Sequence, residues 1–445
     1  MMEQLPAGWS QATLGDIAET RLGKMLSAKA RVSTSPRPYL RNKNVQWGRI
    51  DISDMAEMDF ADDEVERFTV LPDDVLVCEG GDVGRTAVWK GQLPWVGYQK
   101  ALHRIRPARG VSSEYLAYFM RWFASVQAFE PYATGSTIKH LPQENLRLLP
   151  VPVPPEREQR AIVSVIEEQF SRLDAADLSL RVALRRLHVL RNELLSFAIA
   201  DGEERVLGEL LEGIEAGRSF KCHGRPAGDE EWGVIKVSAM TWGAFDESQN
   251  KAVLSANAAD ARWEIRPGDL LLSRANTTDY VGATVLVGPC RPRLLLSDKS
   301  MRLLVKSACD KGWLRHALSA SRSRAQMSAV ATGTSDSMRN ISQDKVKKIK
   351  LRVPTLDDQR RIAAELDRRL TLVAALAAGV ERARHRGASL RRSILEHAFS
   401  GKFTQQNQSD EPASALLERI VAQQAAGVSR NRAPVSGRRQ TVGAS

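Results

Sequence analysis

The chain has 445 residues, 43% hydrophobic and 26% charged, with a net charge of +11. That length exceeds one ordinary core and points to two or three domains, and the composition is that of a globular protein. No apolar run approaches the ~20 residues of a membrane span, and Cys78, Cys222, Cys290 and Cys309 lie far apart without a C-x-x-C pair, which argues against zinc and for reduced thiols.

The N-terminus, "MMEQLPAGWS", has no basic stretch followed by an apolar one, so no export signal is read and a cytoplasmic location is expected. A first α/β globule over 1–153 contains "RNKNVQW" from Arg41, then a run over 51–82 with twelve acids against the single base Arg67. Within that run "LPDDVLV" at Leu71 reads as a turn and a strand. "GGDVGRT" from Gly80 follows as a glycine-rich turn. It fails as a phosphate loop because Glu79 stands where the first glycine is needed and Arg85 replaces the lysine. "ATGSTIKHLPQENL" at Ala133 precedes "VPVPPEREQRAI" at Val151.

From Pro154 to about 200 the apolar positions Ile162, Ile166, Phe170, Leu173, Leu180, Leu184, Leu187, Leu194 and Ala198 recur at helical spacing, the seam of a long amphipathic helix. Proline opens it, Glu156 and Glu158 occupy its first turn, and Gly202 lies past its end, as helix termini prefer. At ~1.5 Å per residue such a helix reaches roughly 60 Å.

The chain then repeats itself. "LRVPTLDDQRRI" at Leu351 echoes the phrase at Val151, 200 residues on. "RPGDLLL" at Arg266 echoes "LPDDVLV"; "VIKVSAMTWGAFD" at Val234 echoes "YLRNKNVQWGRID" at Tyr39; "ATGTSDSMRNI" at Ala331 echoes the loop at Ala133. A second globule over 201–353 and a second helix over 354–400 follow, the latter with Ile362, Leu366, Leu370, Val373, Val380, Leu390, Ile394 and Ala398 on its seam and Gly387 as a candidate kink. Such self-similarity identifies a duplicated unit. The expected class is α+β: two pseudo-repeated globular α/β domains separated by two long helices packed as an antiparallel coiled coil. The tail, 401–445, carries an amphipathic stretch around Leu416, Leu417, Ile420 and Val421, then "SRNRAPVSGRRQTVGAS", expected to be disordered.

The order globule, helix, globule, helix, the repeated "P-x-x-x-x-Q-R-x-I" phrase and the "T-G-S/T" phrase before it resemble the DNA specificity (S) subunits of type I restriction-modification systems. The resemblance covers about 1–400. The second copy departs from it at Thr355 and Leu356, where the first has Pro155 and Glu156, and in its longer "GTSDSMRNI" loop. It implies a subunit without catalysis of its own, whose globules are target recognition domains reading a bipartite site on double-stranded DNA. The helices set the spacing, on the order of 17 base pairs at ~3.4 Å each, and dock two methyltransferase (M) subunits. S-adenosylmethionine would sit on those partners; ATP and Mg²⁺ would come with motor-nuclease (R) subunits. No cofactor or metal is expected in this chain and no membrane association.

Which side chains touch DNA follows from chemistry alone. Arg and Lys pair with guanine or phosphate, Asn and Gln with adenine, and hydroxyls and glycine backbone with phosphate. In the first globule the candidates are Arg41, Lys43, Asn44, Gln46, Arg85, Lys100, Thr134, Ser136 and Lys139. In the second they are Lys236, Arg274, Asn276, Thr277, Lys299, Thr332, Thr334, Ser335, Ser337 and Arg339. The acidic run 51–82 is expected to face away from DNA. Ile162, Ile166, Phe170, Leu173, Ile362, Leu366, Leu370 and Val373 are the candidate partner-binding positions.

An enzyme reading finds little support. "VPVPPEREQ" lacks the flanking residues of a methyltransferase [DNS]-P-P-[YF] motif, no E-x-K accompanies the acids of 66–82, and the seven histidines show no H-E-x-x-H spacing. Cys222-His223 has no two further ligands nearby. The alternative to a DNA-reading adaptor is a stand-alone DNA-binding or scaffold protein that self-associates through its helices.

Overall fold

The structure, a computed structural model, describes residues 5–26, 36–241, 243–254, 260–336, 338–404, 407 and 409–431; the side chains of 334, 335 and 426–431 lie outside that description. The chain divides into two compact units. Unit 1 is Met1–Leu178 with Arg384–Ser445, and unit 2 is Ser179–Ala383. These are not the contiguous segments read from the sequence, because both divisions fall inside a long helix.

Each unit is built around a four-stranded antiparallel sheet. In unit 1 the spatial order is Ala18–Leu22, Leu102–Pro107, Val75–Cys78, Thr86–Val88; in unit 2 it is Leu211–Ala216, Ser300–Val305, Leu270–Ser273, Thr284–Leu286. Taken in chain order, the strands of the two sheets are arranged identically. Strand Val75–Cys78 is buried at all four positions, which fits its uninterrupted apolar sequence. Its alternate side chains enter different cores. Val75 and Val77 join the core that holds the long-helix residues, whereas Leu76 and Cys78 join a second core with Tyr39, Trp89 and Tyr98. In unit 2, Leu270 and Leu272 face one core and Leu271 the other.

The second core of each unit is covered by a three-stranded sheet with one parallel pairing. It is Ala56–Asp59, Pro36–Leu40, Gly97–Tyr98 in unit 1 and Asn250–Ala252, Gly233–Ile235, Leu294–Leu295 in unit 2. A short antiparallel pair, Ser10–Thr13 with Pro150–Val153, leads into the first long helix, and Glu203–Val206 with Lys350–Val353 leads into the second. The repeat read from the phrases at Val151 and Leu351 is therefore a repeat of topology.

The first long helix spans Glu156–Ser196, with a 3-10 turn at Phe197–Ile199; the second spans Leu356–Phe399. Gly387 does not interrupt it. Within unit 1, Asp174 pairs with Arg391, and Asp177 pairs with Arg384 at 3.0 Å. The partner number falls as the first rises, so these two helix segments run antiparallel. Their apolar seams turn into the unit's own core, where Ile162, Ile166 and Phe170 pack with Leu395, Ala398 and Phe399.

The tail contributes more than its sequence promised. A helix at Ala413–Asn431 inserts Ala413, Leu416 and Ile420 into the unit 1 core, and the Ala413 amide donates to the Gly8 carbonyl at 2.9 Å. The stretch expected to be disordered lies, beyond Asn431, outside the described residues.

Candidate nucleic-acid interface

In unit 1 three of the sequence-predicted segments come together on one face. The Asn42 side chain donates to the Gly80 carbonyl at 2.7 Å, and Arg85 donates back to the Asn42 backbone and side-chain oxygens at 3.0 and 3.2 Å. Thr134 and His140 exchange backbone hydrogen bonds at 2.7 and 2.8 Å, and the Leu141 amide donates to the Glu79 carbonyl at 2.7 Å. The loop 134–140 turns at Gly135, where φ is +93° and a Cβ would lie 2.2 Å from the Ile138 carbonyl, so only glycine fits. The matching Gly333 has φ +145° and the same conflict with Met338. Thr134, Ser136, Lys139 and Lys100 are exposed, and the Glu79 amide donates to Ala101, next to Lys100.

The polar side chains of 41–46 divide into two groups. Asn44, expected to contact DNA, is buried at 2% exposure. Its amide nitrogen donates to the Asp51 and Asp54 carbonyls at 2.8 and 2.9 Å and its oxygen accepts from the Arg41 amide at 2.9 Å. Its hydrogen-bonding capacity is spent on the fold, and the DNA-contact expectation for Asn44 is corrected. Gln46 donates to the Lys43 carbonyl at 2.8 Å. Arg41 donates to the Asp54 carboxylate at 2.9 Å, and Lys43 pairs with the same carboxylate. The Lys43 and Arg41 hydrogen bonds hold the Asp54 carboxyl below its ordinary range. The acidic run therefore does not all face away from the candidate readers, because Asp54 grips two of them.

In unit 2 the segments after Ser273 and Ala331 meet in a three-stranded sheet, Ala275–Asn276, Met338–Asn340, Thr332–Ser335. Asn276 stands opposite Arg339, and the amides of Arg274 and Ala275 both donate to the Lys299 carbonyl, at 2.9 and 3.2 Å. Lys299 and Thr332 are exposed. Arg339 folds back to donate to the Ala331 and Gly333 carbonyls at 2.7 and 3.1 Å, so it braces its loop. Asn276 accepts from the Thr277 amide at 2.9 Å and donates to the Ser273 hydroxyl at 3.3 Å. Lys236, partly exposed, donates its amide to the Gln249 carbonyl at 2.9 Å. The Thr334 and Ser335 side chains and all of Ser337 lie outside the described residues.

The candidate partner-binding positions are corrected. Ile162, Ile166, Phe170, Leu366 and Val373 are at most 7% exposed, and Leu173, Ile362 and Leu370 pack against the same two cores. Hydrophobic periodicity marks which face of a helix is buried and leaves open what buries it. The large apolar side chains that the long helices leave exposed are Leu178 in unit 1 and Val189, Leu190, Leu372 and Leu376 in unit 2, all off that seam, and Leu390 in unit 1, a seam position that stays exposed. Sequence reasoning also missed Asn42, Asp54 and Gln249. Their signal was the turn phrase D-x-S, present as Asp51-Ile52-Ser53 and again as Asp246-Glu247-Ser248.

Among the described residues, no group of three His, Cys, Asp or Glu side chains is placed to hold a metal, and no helix is long and apolar enough to cross a membrane.

Two globules of one topology, each followed in the chain by a long helix, define a duplicated protein. Residues 6–176 match the family described as the type I restriction modification DNA specificity domain. Over 95% of its length the chain is 23% identical to the type I restriction enzyme EcoKI specificity subunit of Escherichia coli K12, covering 97% of that protein. In fold it is similar to a chain solved in work on complex assembly and conformational transition of the type I R-M system (TM-score 0.71, 19% identity, 90% of this chain and 100% of that one). It is also similar to the HsdS subunit of Thermoanaerobacter tengcongensis (TM-score 0.51, 18% identity, 90% and 98%). Residues 6–176 thus match the specificity-domain family, and over nearly its whole length the chain is similar to type I restriction-modification specificity subunits.

Proposed function

We propose that each unit of this specificity subunit reads one half of a bipartite site on double-stranded DNA, and that the long helices fix the gap between the halves. The observation that carries this reading is the pairing of one topology with two different sets of loop side chains. Arg41, Lys43 and Gln46 in unit 1 stand where unit 2 has Lys236, Ser238 and Thr241. A duplicated scaffold with divergent polar loops suits an asymmetric target. The first long helix, 41 residues, gives a length scale of ~60 Å at ~1.5 Å per residue.

The chain acts without catalysis of its own. Two methyltransferase subunits, carrying S-adenosylmethionine, dock along the helices through exposed apolar side chains such as Leu178, Leu372 and Leu376. Motor-nuclease subunits bring ATP and Mg²⁺, and the complex works on chromosomal DNA in the cytoplasm. The burial of both seams within the chain speaks against self-association through them.

The test is co-expression with the cognate methyltransferase, followed by sequencing of methylated adenines. The expected result is one bipartite, asymmetric motif and two methyltransferase subunits per chain. A purified chain that ignores the methyltransferase and binds a continuous sequence would overturn the proposal.

A further inference from the structure

Residues 41–54 form one loop in which scaffold and surface chemistry separate cleanly. Buried Asn44 ties the return limb to the outgoing limb through the Asp51 and Asp54 carbonyls. The Asp51 carboxylate accepts from the Ser53 amide and hydroxyl at 2.9 and 2.6 Å, closing the turn. Unit 2 builds the same turn: Asp246 accepts from the Ser248 amide and hydroxyl at 3.0 and 2.6 Å.

What differs is the trio of half-buried or exposed side chains around that turn. In unit 1 it is Arg41, Lys43 and Asp54, with Asp54 at 63% side-chain exposure and Lys43 at 55%. In unit 2 it is Lys236, Ser238 and Gln249, where the Gln249 side chain accepts from the Ser238 hydroxyl at 3.0 Å. The carboxylate is replaced by a neutral amide and one of the two cations by a hydroxyl. Asp54 has no packing role to explain it, since its backbone carbonyl, not its side chain, takes the Asn44 bond.

We infer that Asp54 is a specificity-determining residue of unit 1, which holds Arg41 and Lys43 in an internal ion pair and so keeps both cations from phosphates of non-target DNA. The inference rests on the DNA-reading function proposed above. On a random duplex the carboxylate stays beside the two cations and meets phosphates with like charge, so neither cation releases its share of counterions. On the target, a base amino group, of cytosine or adenine, donates to the carboxylate and the cations turn to the backbone. Gln249 makes unit 2 neutral at the corresponding position, so the charge gate belongs to one half-site.

The test uses the full chain with its methyltransferase, Asp54→Asn and Asp54→Glu variants, a random-sequence duplex and a duplex bearing the methylated motif. Asp54→Asn should tighten random-duplex binding about tenfold near physiological salt. It should also steepen the log K against log salt slope by about 1 to 2, since each freed cation contributes ~0.9. Target binding should not gain equally, so the target-to-random ratio falls about tenfold or more; Asp54→Glu should restore it. An unchanged ratio and slope in Asp54→Asn would overturn the inference, as would a loss of target binding with random binding unaltered. A wild-type complex that prefers no duplex would instead overturn the DNA-reading function itself.

Discussion

Gln159 and Gln359 make the same grip in the two units. The Gln159 side chain accepts from the Ser112 amide at 2.8 Å and donates to the Pro154 carbonyl at 3.1 Å; Gln359 accepts from the Asp310 amide at 2.8 Å and donates to Pro354 at 3.0 Å. Both are at most 2% exposed. Each joins a long helix to the start of a globule helix, Ser113–Ser125 or Lys311–Ser319. Alanine at either position leaves a backbone amide without its acceptor, which costs about 1–3 kcal/mol. Urea unfolding of Gln159→Ala and Gln359→Ala should give losses of similar size, one in each unit.

The tail helix is integral to unit 1. Leu416 is 3% exposed and packs in the unit 1 core, close against Gly110. Leu416→Ala should destabilise unit 1 by about 2–5 kcal/mol, the range for a buried leucine. Leu416→Asp should free the tail for limited proteolysis, with cleavage near 405–412 read by mass spectrometry. A tail equally resistant in both proteins would contradict the packing.

The antiparallel contact in unit 1 is open to a charge-swap experiment. Asp174→Arg should weaken the contact by repelling Arg391, and Arg391→Asp in the same chain should restore it. The pair is exposed on the Asp174 side, so the coupling should be small, about 0.2–1 kcal/mol, and weaker in high salt. A double-mutant cycle reads it directly.

His103 makes unit 1 acid-sensitive. Its ring is fully buried, Nε2 lies 2.8 Å from the Leu141 carbonyl, and Nδ1 has no partner. Burial pushes its pKa down to about 4 from 6.5. The unfolded chain takes up the proton below about 6.5 and the folded chain only near 4, so stability is lost as pH falls through that window and is retained in full above it. The loss is roughly 3 kcal/mol at ~1.36 kcal/mol per pKa unit. Replacing His103 with Asn should flatten the acid limb of a stability–pH curve relative to the unmodified chain, whatever it costs at pH 7.

The duplication and the two long helices were legible because proline, acids and glycine punctuate them at 154–202 and again at 354–401. Gly387 does not end the helix, since a single glycine weakens a helix by only about 1 kcal/mol and the helical span continues past it. The partner of each seam was not legible, and neither was the assembly of unit 1 from both ends of the chain. At the interface the segments could be chosen by residue type, but not the division of labour within them. Asn44 and Lys43 are polar neighbours in the sequence, yet one is enclosed and the other exposed. Only the return of the chain at Asp51–Asp54 separates them. The glutamine in the repeated phrase was visible as a motif, though its grip on Ser112 or Asp310 depends on residues about 50 positions away.

The split composition of unit 1 sets a schedule on the ribosome. Its first 178 residues emerge early, but their core is completed by Leu395, Phe399 and Leu416, which follow only after all of unit 2. At ~5–20 residues per second that is a wait of about 10–40 s, during which Ile162, Ile166 and Phe170 lack part of their cover. Unit 2, continuous in the chain, can close first. A polypeptide ending near residue 383 and released from the ribosome would thus carry one finished unit and one still waiting for its last wall.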